Sequence, residues 1–209
     1  LLYVPGDRLV FATEILRGFD QVTRTWAPEF SGAQPAIGLI QSRANPDLLY
    51  LGETRSGVIG IYSRSRRSRI GSVPYPPVPT NDEYVFDLAV LEGDAKLYTT
   101  RFSESGILAL NPTTGAVIKR IDVGGGFQGL GHVDALALSR DDTRLFAAIT
   151  DGDPRGVADI DTRTDSLIRV LPLDFAAPLD LRLSPDGRLL FVVTQDLNPP
   201  SGAPSSNYL

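Results

Sequence analysis

A short phrase returns along this 209-residue chain at nearly constant intervals, and that regularity restricts the fold more than any other feature. The phrase is Leu2-Tyr3-Val4, then Leu49-Tyr50-Leu51, Leu97-Tyr98-Thr99, Leu145-Phe146-Ala147 and Leu190-Phe191-Val192. Its aromatics are separated by 47, 48, 48 and 45 residues. A period of this length marks a repeated supersecondary unit that cannot bury its apolar face alone and must stack on its neighbours.

Each unit reads as four short strands. An alternating run comes first, as in Phe86-Asp87-Leu88-Ala89-Val90, Val133–Leu138 and Leu179–Leu183. Period-two alternation marks a half-buried strand. A polar turn follows, such as Glu92-Gly93-Asp94 or Ser184-Pro185-Asp186-Gly187, and then the aromatic phrase. A third run (Ile107–Leu110, Val157–Ile160), another turn and a fourth run (Val117–Ile121, Leu167–Val170) close the unit. Four antiparallel strands in about 48 residues have the size and content of a β-propeller blade.

The expected fold is therefore all-β: a propeller of four-stranded antiparallel blades forming one domain over 1–209. A partial blade spans 1–30, whole blades lie near 36–77, 85–123 and 133–173, and a partial blade spans 178–209. Leu1–Val4 is read as a second strand, and residues 8–27 as a third and fourth strand. One helix face carrying Phe11, Ile15, Leu16, Phe19 and Val22 is the alternative for that segment. About four to five blades suggest a section of a larger ring, and the lack of methionine suggests a processed or partial chain. The recurring aromatic is expected to fill the gap between blades, with Phe146→Ala costing about 3–5 kcal/mol.

Composition narrows the function classes. A net charge of -5 argues against nucleic acid as a partner, which usually needs a basic face. The absence of cysteine excludes disulfides, zinc–thiolate sites and a thiol nucleophile. No apolar stretch reaches the length of a membrane span.

The stretches Ile107–Val123, with Leu-Asn-Pro-Thr-Thr-Gly-Ala-Val-Ile-Lys-Arg-Ile-Asp-Val, and Leu179–Val193, with Leu-Ser-Pro-Asp-Gly-Arg-Leu-Leu-Phe-Val-Val, resemble the YVTN-repeat and lactonase-like seven-bladed propellers. The likeness runs over residues 36–193. Tyr62-Ser63-Arg64 departs from it where an Asp-turn is usual, and no Trp-Asp pair of the WD-repeat type ends a strand. The resemblance implies a seven-bladed ring and an extracytoplasmic scaffold or binding protein. A minority of such proteins are sugar-lactone hydrolases.

Asp87, Asp134 and Asp180 recur in successive first strands, 47 and 46 residues apart. First strands line a propeller channel, so the three carboxylates are expected near one mouth. There they form a ligand-binding site for Ca²⁺, another divalent cation or a cationic ligand. The competing reading, favoured by the repetition, is that each accepts backbone N–H groups locally. His132, the only histidine, is the catalytic candidate beside Asp134, although no nucleophile motif accompanies it. Gly124–Gly129 matches a dinucleotide fingerprint formally, but a strand follows it where a helix is needed. Asp151-Gly152-Asp153 lacks the remaining spacing of a calcium loop. The arginines at 64, 66, 67 and 69 read as a solvated outer hairpin, Val73–Pro79 as a stiff link and Asn198–Ser206 as a long loop.

The functional expectation is a non-enzymatic binding or assembly module with protein partners, needing no cofactor. The alternatives are a lactonase-like hydrolase using the acidic mouth and His132, or a structural subunit of a larger extracytoplasmic complex.

Overall fold

The computed structural model describes residues 2–3, 9–12, 16–20, 22–55, 57–74, 83–101, 106–123, 132–150, 154–173 and 176–196. They form eighteen strands and a single 3₁₀ turn at Glu92–Asp94. Blade I contains β1 (Leu2–Tyr3), β2 (Leu9–Ala12), β3 (Arg17–Asp20) and β4 (Thr25–Trp26). Blade II contains β5 (Ala36–Gln41), β6 (Leu48–Arg55), β7 (Ile59–Ser63) and β8 (Ser68–Ser72). Blade III contains β9 (Glu83–Val90), β10 (Leu97–Arg101), β11 (Ile107–Leu110) and β12 (Val117–Ile121). Blade IV contains β13 (Val133–Leu138), β14 (Arg144–Ile149), β15 (Gly156–Asp161) and β16 (Ser166–Pro172). Blade V shows β17 (Ala176–Leu183) and β18 (Leu190–Asp196).

Neighbouring strands are antiparallel and follow chain order within each blade. Blades II and III are also joined at one corner, where Thr54 pairs with Tyr84 and Arg55 with Glu83. Sequence reading misplaced the first blade. Leu2–Tyr3 is its first strand, and residues 9–26 supply the other three, so the sheet has four strands. An apolar dipeptide without a preceding turn looks alike as a first or second strand. Only its pairing, Leu2 with Phe11 and Tyr3 with Val10, settles the assignment.

Tight turns close the hairpins. Asp20, Asn111 and Asp161 each accept two N–H groups from the residues two and three places on, which pins the outer turns of blades I, III and IV. Blade II lacks such a residue at Ser63 and borrows one. Asp47, from its inner hairpin, accepts the Ser63 hydroxyl at 2.7 Å and the Ser65 N–H at 2.7 Å.

Alternate residues of each strand face opposite neighbouring blades, so the core is a row of interblade clusters. Leu16 and Phe30 meet Leu49, Leu51 and Tyr62 of blade II. Tyr50 and Ile59 meet Val85, Leu88 and Leu97 of blade III. Tyr98 and Ala109 meet Leu136, Leu145 and Ile149 of blade IV. Ala135, Ala148 and Val157 meet Leu181 of blade V. First strands of adjoining blades lie side by side: β5 by β9, β9 by β13, and β13 by β17. Gly52 marks how closely blades II and III approach, because a Cβ there would lie 2.6 Å from Val85 Cγ1.

The repeated aromatic fills these gaps as expected in the middle of the fan. Tyr98 is fully buried and Tyr50 nearly so, whereas Phe146 is half-buried and Phe191 is 57% exposed. The cost first assigned to Phe146 therefore belongs to Tyr98, which has blade IV packed over it.

Candidate functional site

The register of the first strands separates the three aspartates. Asp87 lies two residues before Ala89, the partner of Tyr98, and Asp180 lies two before Arg182, the partner of Phe191. Asp134 lies three before Ala137, the partner of Phe146, and occupies the irregularity between Val133 and Ala135. Counted along an unbroken register from the partner of the aromatic, it stands one place further back than Asp87 and Asp180 do. Sequence spacing carried the signal: 47 between Asp87 and Asp134 against 48 between their aromatics.

Asp87 ties two blades together. Its Oδ1 accepts the N–H of Leu88 at 2.8 Å, and its Oδ2 accepts the N–H of Leu136 in blade IV at 2.8 Å. Its own N–H donates to Thr100 Oγ1 at 3.1 Å. Burial of the carboxylate pushes its pKa up to about 6, against the lowering influence of those two N–H donors. Arg182 lowers it slightly and Asp180 raises it slightly.

Asp134 acts within blade IV and toward blade V. The Thr150 hydroxyl sits 2.8 Å from Asp134 Oδ2 and 2.8 Å from the carbonyl of Pro178, so its single proton serves one acceptor at a time. Asp180 accepts the Leu181 N–H at 2.8 Å and pairs with Arg182 at 2.7 Å, with its side chain 42% exposed. His132 precedes β13, where its carbonyl accepts the Thr150 N–H at 2.9 Å and its ring meets Phe86 edge-on at 6.0 Å. Among the described residues no three His, Asp or Glu side chains gather as a metal site would require. The Ca²⁺ expectation thus finds no cluster among Asp87, Asp134 and Asp180.

Sequence reading missed a second set of acidic groups at the other end of the first strands. Asp94 and Asp142 each stand four residues before the aromatic of their blade, and both are left-handed, at φ 53° and 58°. Asp94 receives the N–H of Arg43 at 2.7 Å and of Ala44 at 3.1 Å, the Tyr50 hydroxyl at 2.8 Å and the Ser42 hydroxyl, all from blade II. Asp142 receives the Glu92 N–H of blade III at 2.7 Å. Arg43 lies across all three turns and pairs with both Glu92 and Asp142. Their equal offset from the aromatic was the available signal.

Further out, Asp165 in the β15–β16 turn accepts Lys96 Nζ at 2.8 and 2.7 Å and the Tyr98 hydroxyl at 2.6 Å. Burial, and then the hydrogen bond to Asp165, push the Tyr98 phenol well above its ordinary value. The arginine hairpin is more than a solvated edge. Arg69 pairs at 2.8 Å with Glu53, whose side chain is only 3% exposed; Arg67 lies over the Phe30 ring; Arg64 donates to the Pro46 carbonyl at 2.6 Å. The stretches Gly124–Gly129, Asp151–Asp153, residues 75–79 and Asn198–Ser206, singled out in the sequence, lie outside the described residues.

No family model and no curated protein matches the sequence. Solved structures do. Hydrazine synthase of Kuenenia stuttgartiensis superimposes with a TM-score of 0.69 at 15% identity, over 91% of this chain and 52% of that one. The β-propeller domain of Cps50 (Swd1) from Myceliophteria thermophila gives a TM-score of 0.66 at 16% identity, over 90% and 58%. The chain thus spans somewhat more than half the length of each. With its radial row of antiparallel sheets, the fold is a β-propeller.

Proposed function

We propose that the chain is a non-enzymatic β-propeller module that presents its turns and loops to a protein partner. The observation that carries this reading is the commitment of both Asp87 oxygens to the N–H groups of Leu88 and Leu136. Asp87, the best placed of the acidic residues for a catalytic mouth, is engaged in tying blade III to blade IV. A framework held this way leaves loop chemistry free to vary, as binding scaffolds require. The resemblance to YVTN-type propellers supports placing the module outside the cytoplasm, within a larger assembly.

The rival is a lactonase-like hydrolase using Asp87, Asp134 and His132. It is favoured by the Asp87 pKa of about 6, a value suited to general acid–base work. Thermal shift with Ca²⁺, Mg²⁺ and chelator, followed by lactone hydrolysis with wild type and Asp134→Asn, separates the two. The module reading expects no shift and no turnover above background. Metal-dependent turnover that disappears in the variant overturns it.

A further inference from the structure

Aspartates tie the inner turns of successive blades, and one tie has been replaced. Asp94 reaches back to the N–H groups of Arg43 and Ala44, and Asp142 reaches back to the N–H of Glu92. The same position in blade V, four residues before Phe191, is Gly187, also left-handed at φ 72°. It has no carboxylate to send back to blade IV. The group it would meet there is the N–H of Arg140, which stands six residues before Phe146 as Glu92 stands six before Tyr98. Among the described residues nothing accepts that N–H. Between the two turns lies a cavity of about 600 Å³, bordered by Arg140, Arg144, Phe146, Asp186 and Gly187.

The aromatic has changed together with the aspartate. Tyr50 donates its hydroxyl to Asp94 at 2.8 Å, whereas Phe146 has no hydroxyl and offers the cavity an apolar wall. We propose that this cavity binds the carboxylate of an acidic side chain on a partner polypeptide, which takes the place that Asp94 and Asp142 occupy between the earlier blades. The Arg140 N–H and guanidinium receive the carboxylate, and the ligand methylene lies on Phe146. Asp141 and Asp186 also border the site and stay ionised, because the hydrogen bonds of their own turns hold the charged form: Asp141 through Ser139 and Thr143, Asp186 through Ser184 and Arg188; the ligand carboxylate is therefore offset against them by the Arg140 guanidinium. Glu92 of blade III and Asp142 of blade IV are likewise accommodated because the guanidinium of Arg43, from blade II, pairs with both. This site lies at the opposite end of the first strands from Asp87 and does not depend on what the mouth does.

The test is an amide-resonance titration of the whole chain with the peptide acetyl-Gly-Asp-Gly-amide, its Asn counterpart and sodium acetate. Gly187→Asp serves as the internally filled control. A Cβ at Gly187 meets nothing within 4 Å, and its φ is close to those of Asp94 and Asp142, so the variant is expected to fold. The Asp peptide should shift the Arg140 amide saturably. The Asn peptide and acetate should bind at least about tenfold more weakly. In Gly187→Asp the Arg140 amide should start shifted and respond to none of the three. No saturable shift, equal response to the Asn peptide or to acetate, or a response retained in Gly187→Asp would each overturn the proposal.

Discussion

Asp165→Asn should loosen the junction between blades III and IV by a predictable amount. Asp165 and Lys96 are both largely buried, with side chains 6% and 15% exposed. Asparagine keeps the left-handed turn at φ 51°, because its short amide tolerates that region as aspartate does. What changes is the charge, together with one acceptor oxygen that becomes an N–H₂ group facing the Lys96 ammonium. Breaking one side of a buried pair costs about 3–5 kcal/mol. The retained carbonyl still accepts one bond, worth about 1 kcal/mol. The net loss should be about 2–4 kcal/mol, or roughly 5–15 °C in Tm for a domain of this size. Urea melts of wild type, Asp165→Asn, Lys96→Met and the double variant measure it. The double variant should be more stable than the sum of the single losses predicts, by at least about 1.5 kcal/mol, because it removes both charges together. A single-variant loss below about 1 kcal/mol, or strict additivity, would refute the claim that this ion pair couples the two blades.

Two further outcomes follow from the same geometry. Asp87 titrates near 6 when folded and near 3.8 when unfolded, so the folded chain holds its proton through the window between. Its contribution is therefore fully present below about pH 4 and falls by about 3 kcal/mol as pH rises past 6. Wild type should lose most of that stability between about pH 3.5 and 6.5 relative to Asp87→Asn in urea melts, and parallel pH profiles would sink the assignment. Truncation of the repeated aromatic should follow burial. Tyr98→Ala should cost about 3–5 kcal/mol, Phe146→Ala about half as much, and Phe191→Ala less than about 1 kcal/mol. Equal costs at all three would contradict the packing.

Much of this protein was legible from period and alternation. The 48-residue recurrence of Leu-Tyr and Leu-Phe phrases, with turn residues between them, was enough for an all-β propeller of antiparallel blades. Hydrophobic alternation is a local property, and each strand carries it whether or not its neighbour is present. The structure alone decided which residues of adjoining blades share a bond. Asp87 met the Leu136 N–H of the next blade, and Asp47 took over the turn that Ser63 could not cap. Lys96 found Asp165 across 69 positions. These contacts depend on how closely two sheets approach and how their strands are offset. Both are fixed only when whole blades stack, so the residues that tie the fold together carry no mark in their own sequence surroundings beyond their place in the repeat.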